Sequence, residues 1–415
     1  MASVANSRVR NVTPGALVGL FNVRVKHLAV AVACLLAAAT AGCSDQEAGS
    51  GAPAAIQQQT PASTNASPGT ETDTPDPEPR SVDVVMGGDL LWHNTVWFSA
   101  AEDQQRTGVG KDYDWDPMFA ALKPTIEEAD LAICHSEVPF AAPGEAPESY
   151  PVFAAPRSIA PWIASMGWDA CTTASNHSWD QGYAGVVTTA DLFQENGVAH
   201  VGTFRTPEER AKPVILTTEE GVKVAIVAGT WGLNGFVPPA DEAFAVSMFD
   251  ADNLLAQARA AREAGADVVI VHVHWGTEYV HEPDPAQVAL AQQLTASPDV
   301  DLVLGEHAHV VQPITKVNGK WVVYGMGNQV AQNESTMVDT YEGITIDFDL
   351  VEQPDGSFVV DKPAYIPTEW NHYTAGDPIR IRPAAGERLA SIREAVNLLG
   401  RNRGLQEETL GQDTP

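Results

Sequence analysis

The stretch VVIVHVHWG, residues 268–276, runs from an uninterrupted apolar segment into histidines and a Trp-Gly pair. A short apolar run rich in β-branched residues is typical of a strand that is buried on both faces. The histidines stand where such a strand would end. This stretch therefore predicts a buried strand that delivers an imidazole to the edge of a sheet.

The same pattern recurs along the chain, with short apolar runs followed by segments of helical periodicity. The other apolar runs are Val82–Met86, Leu131–Cys134, Ala170–Thr173, Lys223–Ala228 and Leu302–Leu304. The helical segments are Pro117–Glu128, Ser158–Met166, Tyr183–Asn196, Asp252–Ala264 and Ala286–Thr295. Alternation of this kind predicts an α/β fold with largely buried strands.

Four later apolar runs have no helical segment between them. They are Val310–Val317, Trp321–Tyr324, Ile344–Leu350 and Phe358–Ile366. We expect antiparallel hairpins here, for example across Asn318-Gly319, because Asn-Gly supplies the positive φ that a tight hairpin needs. The predicted fold is thus an α/β sandwich of mixed β-sheets flanked by helices. We place this domain at residues 81–370 and a C-terminal extension with one peripheral helix, over Glu387–Leu399, at residues 371–415.

The N-terminal residues have the pattern of an export signal. Arg24 and Lys26 precede the apolar segment His27–Ala41, which is too short for a membrane span of roughly 20 residues. The segment ends in Thr40-Ala41-Gly42-Cys43, which resembles the lipobox of bacterial lipoproteins. We therefore predict a lipoprotein signal peptide at residues 1–43, lipidation of Cys43, and anchoring to the outer face of the cell membrane. The alternative is ordinary cleavage near Ala41 with release of the protein.

Residues 44–80 are rich in Ser, Thr, Pro, Ala and acidic residues. Such a segment has too little apolar surface to bury, so we predict a disordered linker between the anchor and the domain. The formal net charge of the whole chain is -30. An acidic surface of this kind repels nucleic acid and anionic lipid headgroups, which excludes a nucleic-acid partner and leaves the N-terminal lipid as the membrane attachment.

Two cysteines, Cys134 and Cys171, remain once the export signal is removed. In an oxidising compartment they could form a disulfide. Two buried thiols on neighbouring strands explain the sequence equally well, and both alternatives stay open.

Side chains of metal-ligand type follow the predicted strands, where open α/β sheets place their sites. They are Asp89, Glu137, Asn176, His177, His274, His307 and His309. Convergent oxygen and nitrogen ligands without a thiolate favour Mn, Fe or Zn. We interpret His272 as a strand residue that points away from this site.

The order of these motifs resembles the CapA family of capsule and poly-gamma-glutamate production, which is related to calcineurin-like metallophosphoesterases. The resemblance rests on Gly88-Asp89, Asp130-Leu131 with Glu137, Asn176-His177 with Asp180, His274-Trp275-Gly276 with Glu278, His307 with His309, and Gly327-Asn328. It covers residues 81–330 and extends to about residue 370. It implies a metallophosphoesterase-like fold and a site for two divalent metal ions.

The resemblance also implies a role for each matching residue. Asp89 and His309 would bind the first metal, Glu137 would bridge both metals, and the second metal would take Asn176, His274 and His307. His177 would be the catalytic residue that protonates the leaving oxygen of a phosphoester.

This sequence departs from the family pattern at three positions. Related chains usually have Asn-Leu-Glu where His135-Ser136-Glu137 stands here, and Glu306 replaces a histidine before His307. Leu91 stands where classical phosphoesterases have a histidine ligand, two residues after the first aspartate. His93 and His135 are therefore additional candidate ligands.

Two functions follow from these features. The first is a metal-dependent phosphoesterase outside the cell, acting on a phosphate ester or a capsular polymer alongside other membrane components of capsule synthesis. The second is a non-hydrolytic accessory protein that binds or tethers a capsular polymer during export. The ligand pattern favours the first function, and the capsule resemblance is compatible with both.

Overall fold

The computed structural model describes residues 78–411. The predicted signal peptide, Cys43 and nearly all of the predicted linker lie outside these residues. Within residues 78–411, no helix is both long and apolar enough to span a membrane.

The described residues alternate between strands and helices before ending in long antiparallel strands. The strands are β1 Ser81–Leu90, β2 Leu131–Ser136, β3 Ala170–Thr172, β4 Ala199–Val201, β5 Val214–Thr217, β6 Lys223–Thr230, β7 Val268–His274, β8 Leu302–Glu306, β9 Ile314–Val317, β10 Lys320–Val323, β11 Asn328–Val330, β12 Glu342–Glu352, β13 Phe358–Trp370, β14 Ile381–Pro383 and β15 Gln406–Glu407. The helices are α1 Asn94–Thr107, α2 Asp116–Phe119, α3 Lys123–Glu128, α4 Ile159–Met166, α5 Gly182–Glu195, α6 Pro207–Arg210, α7 Ala251–Glu263, α8 Pro285–Ala296 and α9 Gly386–Asn397, with a 3₁₀ turn at Val338–Tyr341.

The strands form two mixed sheets. The first has the order β14-β13-β12-β1-β2-β3-β4, with β11 beside β1 and β15 beside β13. The second has the order β5-β6-β7-β8-β10-β9. Strands β1 to β4 are parallel, as are β6, β7, β8 and β10. The carboxyl ends of the parallel strands therefore lie together at one edge of each sheet.

The main core lies between the two sheets. Val84 and Met86 of β1 join Ile226 of β6, Ile270 of β7 and Leu304 of β8 in one buried cluster. Alternate residues of the same strands face outward and are covered by helices, α1 to α4 on the first sheet and α7 and α8 on the second. Burial on both faces explains why the parallel strands are continuous apolar runs in the sequence. The predicted sandwich of mixed sheets flanked by helices is confirmed.

Local sequence explains several boundaries. The hairpin between β9 and β10 turns at Asn318 and Gly319 with φ values of 50° and 85°, as an Asn-Gly turn requires. Helix α8 begins with a capping box in which Asp284 and Gln287 satisfy each other's backbone N–H groups. The single helix predicted over Pro117–Glu128 is wrong: α2 and α3 are separate, because Pro124 lacks an N–H and can only be accommodated near a helix start.

The residues after position 370 belong to the same packed body. Strands β14 and β15 both pair with β13. Helix α9 lies where a peripheral helix was expected, but it buries Ile392, Ala395 and Val396 in the core between the sheets.

The structure joins Cys134 and Cys171 in a disulfide. The two residues are direct neighbours on the parallel strands β2 and β3. Of the two alternatives left open by the sequence, the structure has the disulfide.

Candidate metal centre

Ligand-type side chains meet at the carboxyl ends of β1, β2, β3, β7 and β8. Asp89 is the penultimate residue of β1, and Glu137 directly follows β2. Asn176 follows β3, His274 is the last residue of β7, and the segment after β8 carries His307 and His309. All of them are almost completely buried. The structure thus brings together the six residues that the sequence suggested as metal ligands.

The first cluster contains Asp89, Glu137 and His309, whose ligand atoms all lie within 4.8 Å of one another. His309 Nδ1 is 3.1 Å from Asp89 Oδ2, and His309 Nε2 is 3.7 Å from Glu137 Oε1. His309 Nδ1 also lies 3.0 Å from Asn328 Oδ1, at the start of β11. Asn328 was quoted in the sequence pattern without a role, and the structure shows that it orients His309.

The second cluster surrounds His274 Nε2. This atom lies 2.8 Å from Asn176 Oδ1, 3.1 Å from His307 Nδ1 and 4.0 Å from Glu137 Oε1. Ligands at metal–nitrogen and metal–oxygen distances of about 2.0–2.2 Å are themselves roughly 3 Å apart. The separations of His274 Nε2 from Asn176 Oδ1 and His307 Nδ1 therefore match those between ligands of one metal ion, and Glu137, which belongs to the first cluster, lies 4.0 Å from the same nitrogen.

The carboxylates of the site lack the partners that burial demands. Neither oxygen of Asp89 or of Glu137 accepts a hydrogen bond of good geometry from the described part of the chain. Burial and the neighbouring Asp89 raise the pKa of Glu137 well above its usual range. The pKa of His309 is raised to about 10, because Glu137 and Asp89 outweigh the effect of burial, which lowers it. One histidine between two buried carboxylates leaves an excess of negative charge, which is costly in the interior, so these residues fit divalent cations.

The backbone at the two histidines that follow β8 is strained. His307 and His309 have φ values of 100° and 56°, in the left-handed region that residues other than glycine seldom adopt. Strain of this kind costs on the order of 1–3 kcal/mol per residue and clusters at functional sites. Here it turns both imidazoles toward Asp89 and His274, which flank them in the two clusters.

His177 stands beside the clusters with its ring held in place. Its Nδ1 lies 2.7 Å from Asp180 Oδ2, and the same oxygen accepts the backbone N–H of Phe153 at 2.7 Å. The ring of Phe153 packs edge-on against His177, with centroids 4.8 Å apart. Asp180 therefore fixes the orientation of His177. The sequence pattern contained Asp180 three residues after His177, and that spacing was the available signal for this pair.

His135 lies between Asp89 and His274. Its Nδ1 is 2.8 Å from Thr172 Oγ1, whose hydroxyl donates to the carbonyl of Cys134 at 3.4 Å. Its Nε2 is 3.1 Å from His274 Nδ1 and 3.6 Å from Asp89 Oδ1. Burial lowers the pKa of His135 to about 3, so the ring is neutral. Since Thr172 already donates to Cys134, it accepts from His135 Nδ1, and His135 Nε2 is then free to accept from His274.

The other candidate, His93, lines the same cavity as His177 and His309 but contributes no ligand atom to the two clusters. Its Nδ1 accepts the backbone N–H of Gln332 at 3.1 Å, and its ring packs edge-on against Phe153. Of the groups of clustered ligand atoms in residues 78–411, His135 belongs to one and His93 to none.

The expectation that His272 points away from the site is wrong. Residues two apart on a strand share a face, so His272 lies on the same side of β7 as His274. Its ring centroid is 4.7 Å from that of His135. His272 is fully buried, and neither of its ring nitrogens has a hydrogen-bond partner among the described residues.

A cavity of about 930 Å³ opens above the clusters. Asn176, His177 and His309 contribute to its lining, so a molecule in the cavity would reach the site directly. Glu278 also lines it, and its carboxylate lies within 4.8 Å of ring nitrogens of His307 and His309. Glu278 formed part of the sequence pattern, without an assigned role.

Comparison with known proteins identifies the family. Residues 83–333 match the family described as bacterial capsule synthesis protein PGA_cap, and the chain belongs to this family. The capsule biosynthesis protein CapA of Bacillus anthracis is 30% identical over 40% of this chain and 41% of its own length. The PGA biosynthesis protein CapA of Bacillus subtilis is 26% identical over 48% of this chain and 51% of its own. The chain thus spans about half the length of these curated relatives.

Similar solved structures include the calcineurin-like phosphoesterase YfkN from Bacillus subtilis, with a TM-score of 0.42 and 16% identity over 76% of this chain and 97% of that chain. The NAD nucleotidase of Haemophilus influenzae aligns with a TM-score of 0.39 and 12% identity, over 80% of this chain and 57% of that chain.

Proposed function

We propose that this protein is a metal-dependent phosphoesterase that acts in the production of a capsular polymer. One observation carries the proposal: Asp89 and Glu137, two buried carboxylates that accept no hydrogen bond of good geometry within residues 78–411, cluster with His309, and Glu137 lies 4.0 Å from His274, which contacts Asn176 and His307. Membership of the capsule synthesis family supports the polymer context.

Two divalent cations account for the arrangement better than one. Asp89, Glu137 and His309 would hold the first ion, and Glu137, Asn176, His274 and His307 the second. The oxygen and imidazole ligands suit Mn, Fe or Zn. When bound, such ions activate water near neutral pH and neutralise the charge of a phosphoryl group.

The remaining polar groups have supporting roles. His177 would serve as the proton donor to the leaving oxygen through Nε2, because its Nδ1 is engaged by Asp180 at 2.7 Å. His135 accepts from His274 Nδ1–H, which leaves the lone pair of His274 Nε2 directed at the second ion. In this proposal His135 positions a ligand, and His93 has no part in metal binding.

Metal content tests the proposal. The full-length protein, purified without chelator, should contain nearly two equivalents of Mn, Fe or Zn by mass spectrometry. His307→Ala and His309→Ala should each lose metal. His200→Ala is the matched control, because His200 pairs with Glu209 outside the site. A wild-type protein that takes up no metal, even after reconstitution, would contradict the phosphoesterase and favour the polymer-binding accessory role.

We further propose that the protein acts outside the cell, anchored through a lipid on Cys43. The signal-like sequence before Cys43 supports this location. The Cys134–Cys171 disulfide supports it as well, because disulfides persist in oxidising compartments. Mass spectrometry of the mature N-terminus tests the proposal, and an unmodified N-terminus at another residue would contradict it.

A further inference from the structure

The cavity above the metal centre is much larger than a phosphate group. Its volume of about 930 Å³ is at the upper end of the range for sites that enclose whole small molecules. Only its floor, at Asn176, His177 and His309, belongs to the proposed phosphoester site. The walls must therefore contact the part of the substrate that carries the phosphoester.

The charge of the walls disfavours an anionic chain there. Among the described residues that line the cavity there is no Lys or Arg, while Glu278 and Glu334 both contribute carboxylates. A polyglutamate chain carries a carboxylate on every residue, so the walls disfavour it.

The walls instead offer neutral hydrogen-bonding groups. The amides of Asn94, Asn234, Gln332 and Asn333 line the cavity. Asn234 also accepts a hydrogen bond from Asn176 at 3.1 Å, which ties this lining to the metal centre. Amides and carboxylates are natural partners for hydroxyl groups, because together they supply donors and acceptors without requiring a charged ligand.

Three exposed aromatic rings complete the walls. Tyr150, Phe236 and Tyr279 line the cavity with 74%, 42% and 45% of their surface exposed. They come from three separate loops, so no single loop conformation accounts for their exposure. Aromatic faces of this kind bind apolar surface, and the tyrosine hydroxyls remain able to form hydrogen bonds.

Two of these rings are presented by constrained backbone. Tyr279 has a φ of 64° and donates its N–H to the carbonyl of Ala308 at 2.7 Å, between His307 and His309. Phe236 follows a turn in which Asn234 has a φ of 49°. A non-glycine residue in this region is strained, and strain is retained where the surrounding structure holds a functional conformation.

We propose that the cavity binds a neutral saccharide attached to the phosphoester. A sugar ring has apolar C–H faces that stack on aromatic rings and hydroxyl groups that bind amides and carboxylates. It thus matches the amides, the carboxylates and the aromatic rings of the walls, whereas the carboxylates of polyglutamate would face Glu278 and Glu334 without a Lys or Arg in the described lining. The inference rests on the proposed phosphoesterase function and names its substrate class, a saccharide phosphoester.

Binding to metal-free protein tests the saccharide separately from hydrolysis. Full-length protein in EDTA would be titrated calorimetrically with a panel of neutral oligosaccharides of glucose, galactose, mannose and N-acetylglucosamine, and with a γ-linked glutamate oligomer. At least one oligosaccharide should bind, and the glutamate oligomer should not. Phe236→Ala and Tyr279→Ala should each weaken oligosaccharide binding at least tenfold.

Phe98→Ala is the matched control, since Phe98 is 51% exposed on α1 but does not line the cavity. It should leave the affinity unchanged. Binding of no oligosaccharide in the panel, tighter binding of the glutamate oligomer, or equal loss in Phe98→Ala would each overturn the proposal. Turnover of bis(p-nitrophenyl) phosphate by metal-loaded protein would report on the phosphoesterase itself, whatever the result in EDTA.

Discussion

His135 Nε2 lies 3.1 Å from His274 Nδ1, while the opposite nitrogen of His274 faces Asn176 and His307. This contact connects Thr172 on β3, through His135 on β2, to a ligand on β7 of the other sheet. The interface between the two sheets therefore determines which nitrogen of His274 faces Asn176 and His307 in the candidate metal centre.

Replacing His135 by Ala should weaken the second metal site without removing a ligand. Loss of an outer partner typically lowers metal affinity by about 10–100-fold. Competition with a chromophoric chelator should show this loss, while saturating metal should still give two equivalents. His135→Gln, which retains an acceptor oxygen, should recover part of the affinity. Loss of a full equivalent at saturation would identify His135 as a ligand instead.

His177→Ala should reduce turnover of a phosphodiester by about 10²–10⁴-fold, the usual contribution of a general acid. Metal content should stay at the wild-type value, because His177 bonds to Asp180 and not to the clustered ligand atoms. Asp180→Asn should lower kcat in the same direction by releasing the ring. Loss of metal in His177→Ala equal to that in His307→Ala would refute this division of roles.

Gly88→Ala should destabilise the whole domain. A Cβ at position 88 would overlap the backbone carbonyl of Gly327, the residue before β11, which also accepts the backbone N–H of Asp89. Overpacking against backbone typically costs about 1–3 kcal/mol. Thermal unfolding should show a lower midpoint for Gly88→Ala. Gly232→Ala is the control, because nothing lies near its Cβ position and its φ is not positive, so its midpoint should be unchanged.

The contribution of Asp83 to the free energy of unfolding should decrease as the pH rises. Burial, together with its hydrogen bond to Asp347, raises the pKa of Asp83 to about 8. A carboxyl whose pKa is higher in the folded state favours folding at low pH. This contribution is lost progressively from about pH 4, its unfolded pKa, up to about pH 8.

Asp83→Asn removes this dependence, so its midpoint of thermal unfolding should exceed that of the wild type by a margin that widens from pH 5 to pH 8. Exposed Asp361 is the control, and Asp361→Asn should show no widening. A constant difference across this range for Asp83→Asn would contradict the assignment.

The sequence alone was sufficient for the parts of the fold that local patterns control. The apolar runs predicted β1, β2, β3, β6, β7 and β8, and Asn318-Gly319 predicted the β9–β10 hairpin. The metal-ligand residues were also visible, because parallel strands bring their carboxyl ends to one edge of a sheet, so residues just after each strand must lie near one another.

Other features depended on packing between distant segments. Strand β12 lies between β1 and β13, and β14 and β15 extend the same sheet. The local sequence of these strands does not predict which strands they pair with. Three further features arise where loops or sheets from separate parts of the chain meet. They are the position of His272 beside His135, the link from Thr172 through His135 to His274, and the aromatic walls of the cavity that Glu278 lines.

The sequence by itself thus determined the strands, the tight turn and the set of potential ligands, because side-chain periodicity and turn chemistry act over a few residues. Only the tertiary structure decided which nitrogen of each histidine faces the metal centre and what surrounds the cavity. Those properties depend on distances between atoms far apart in the chain, and such distances are set by how the two sheets pack, not by the residues on either side in sequence.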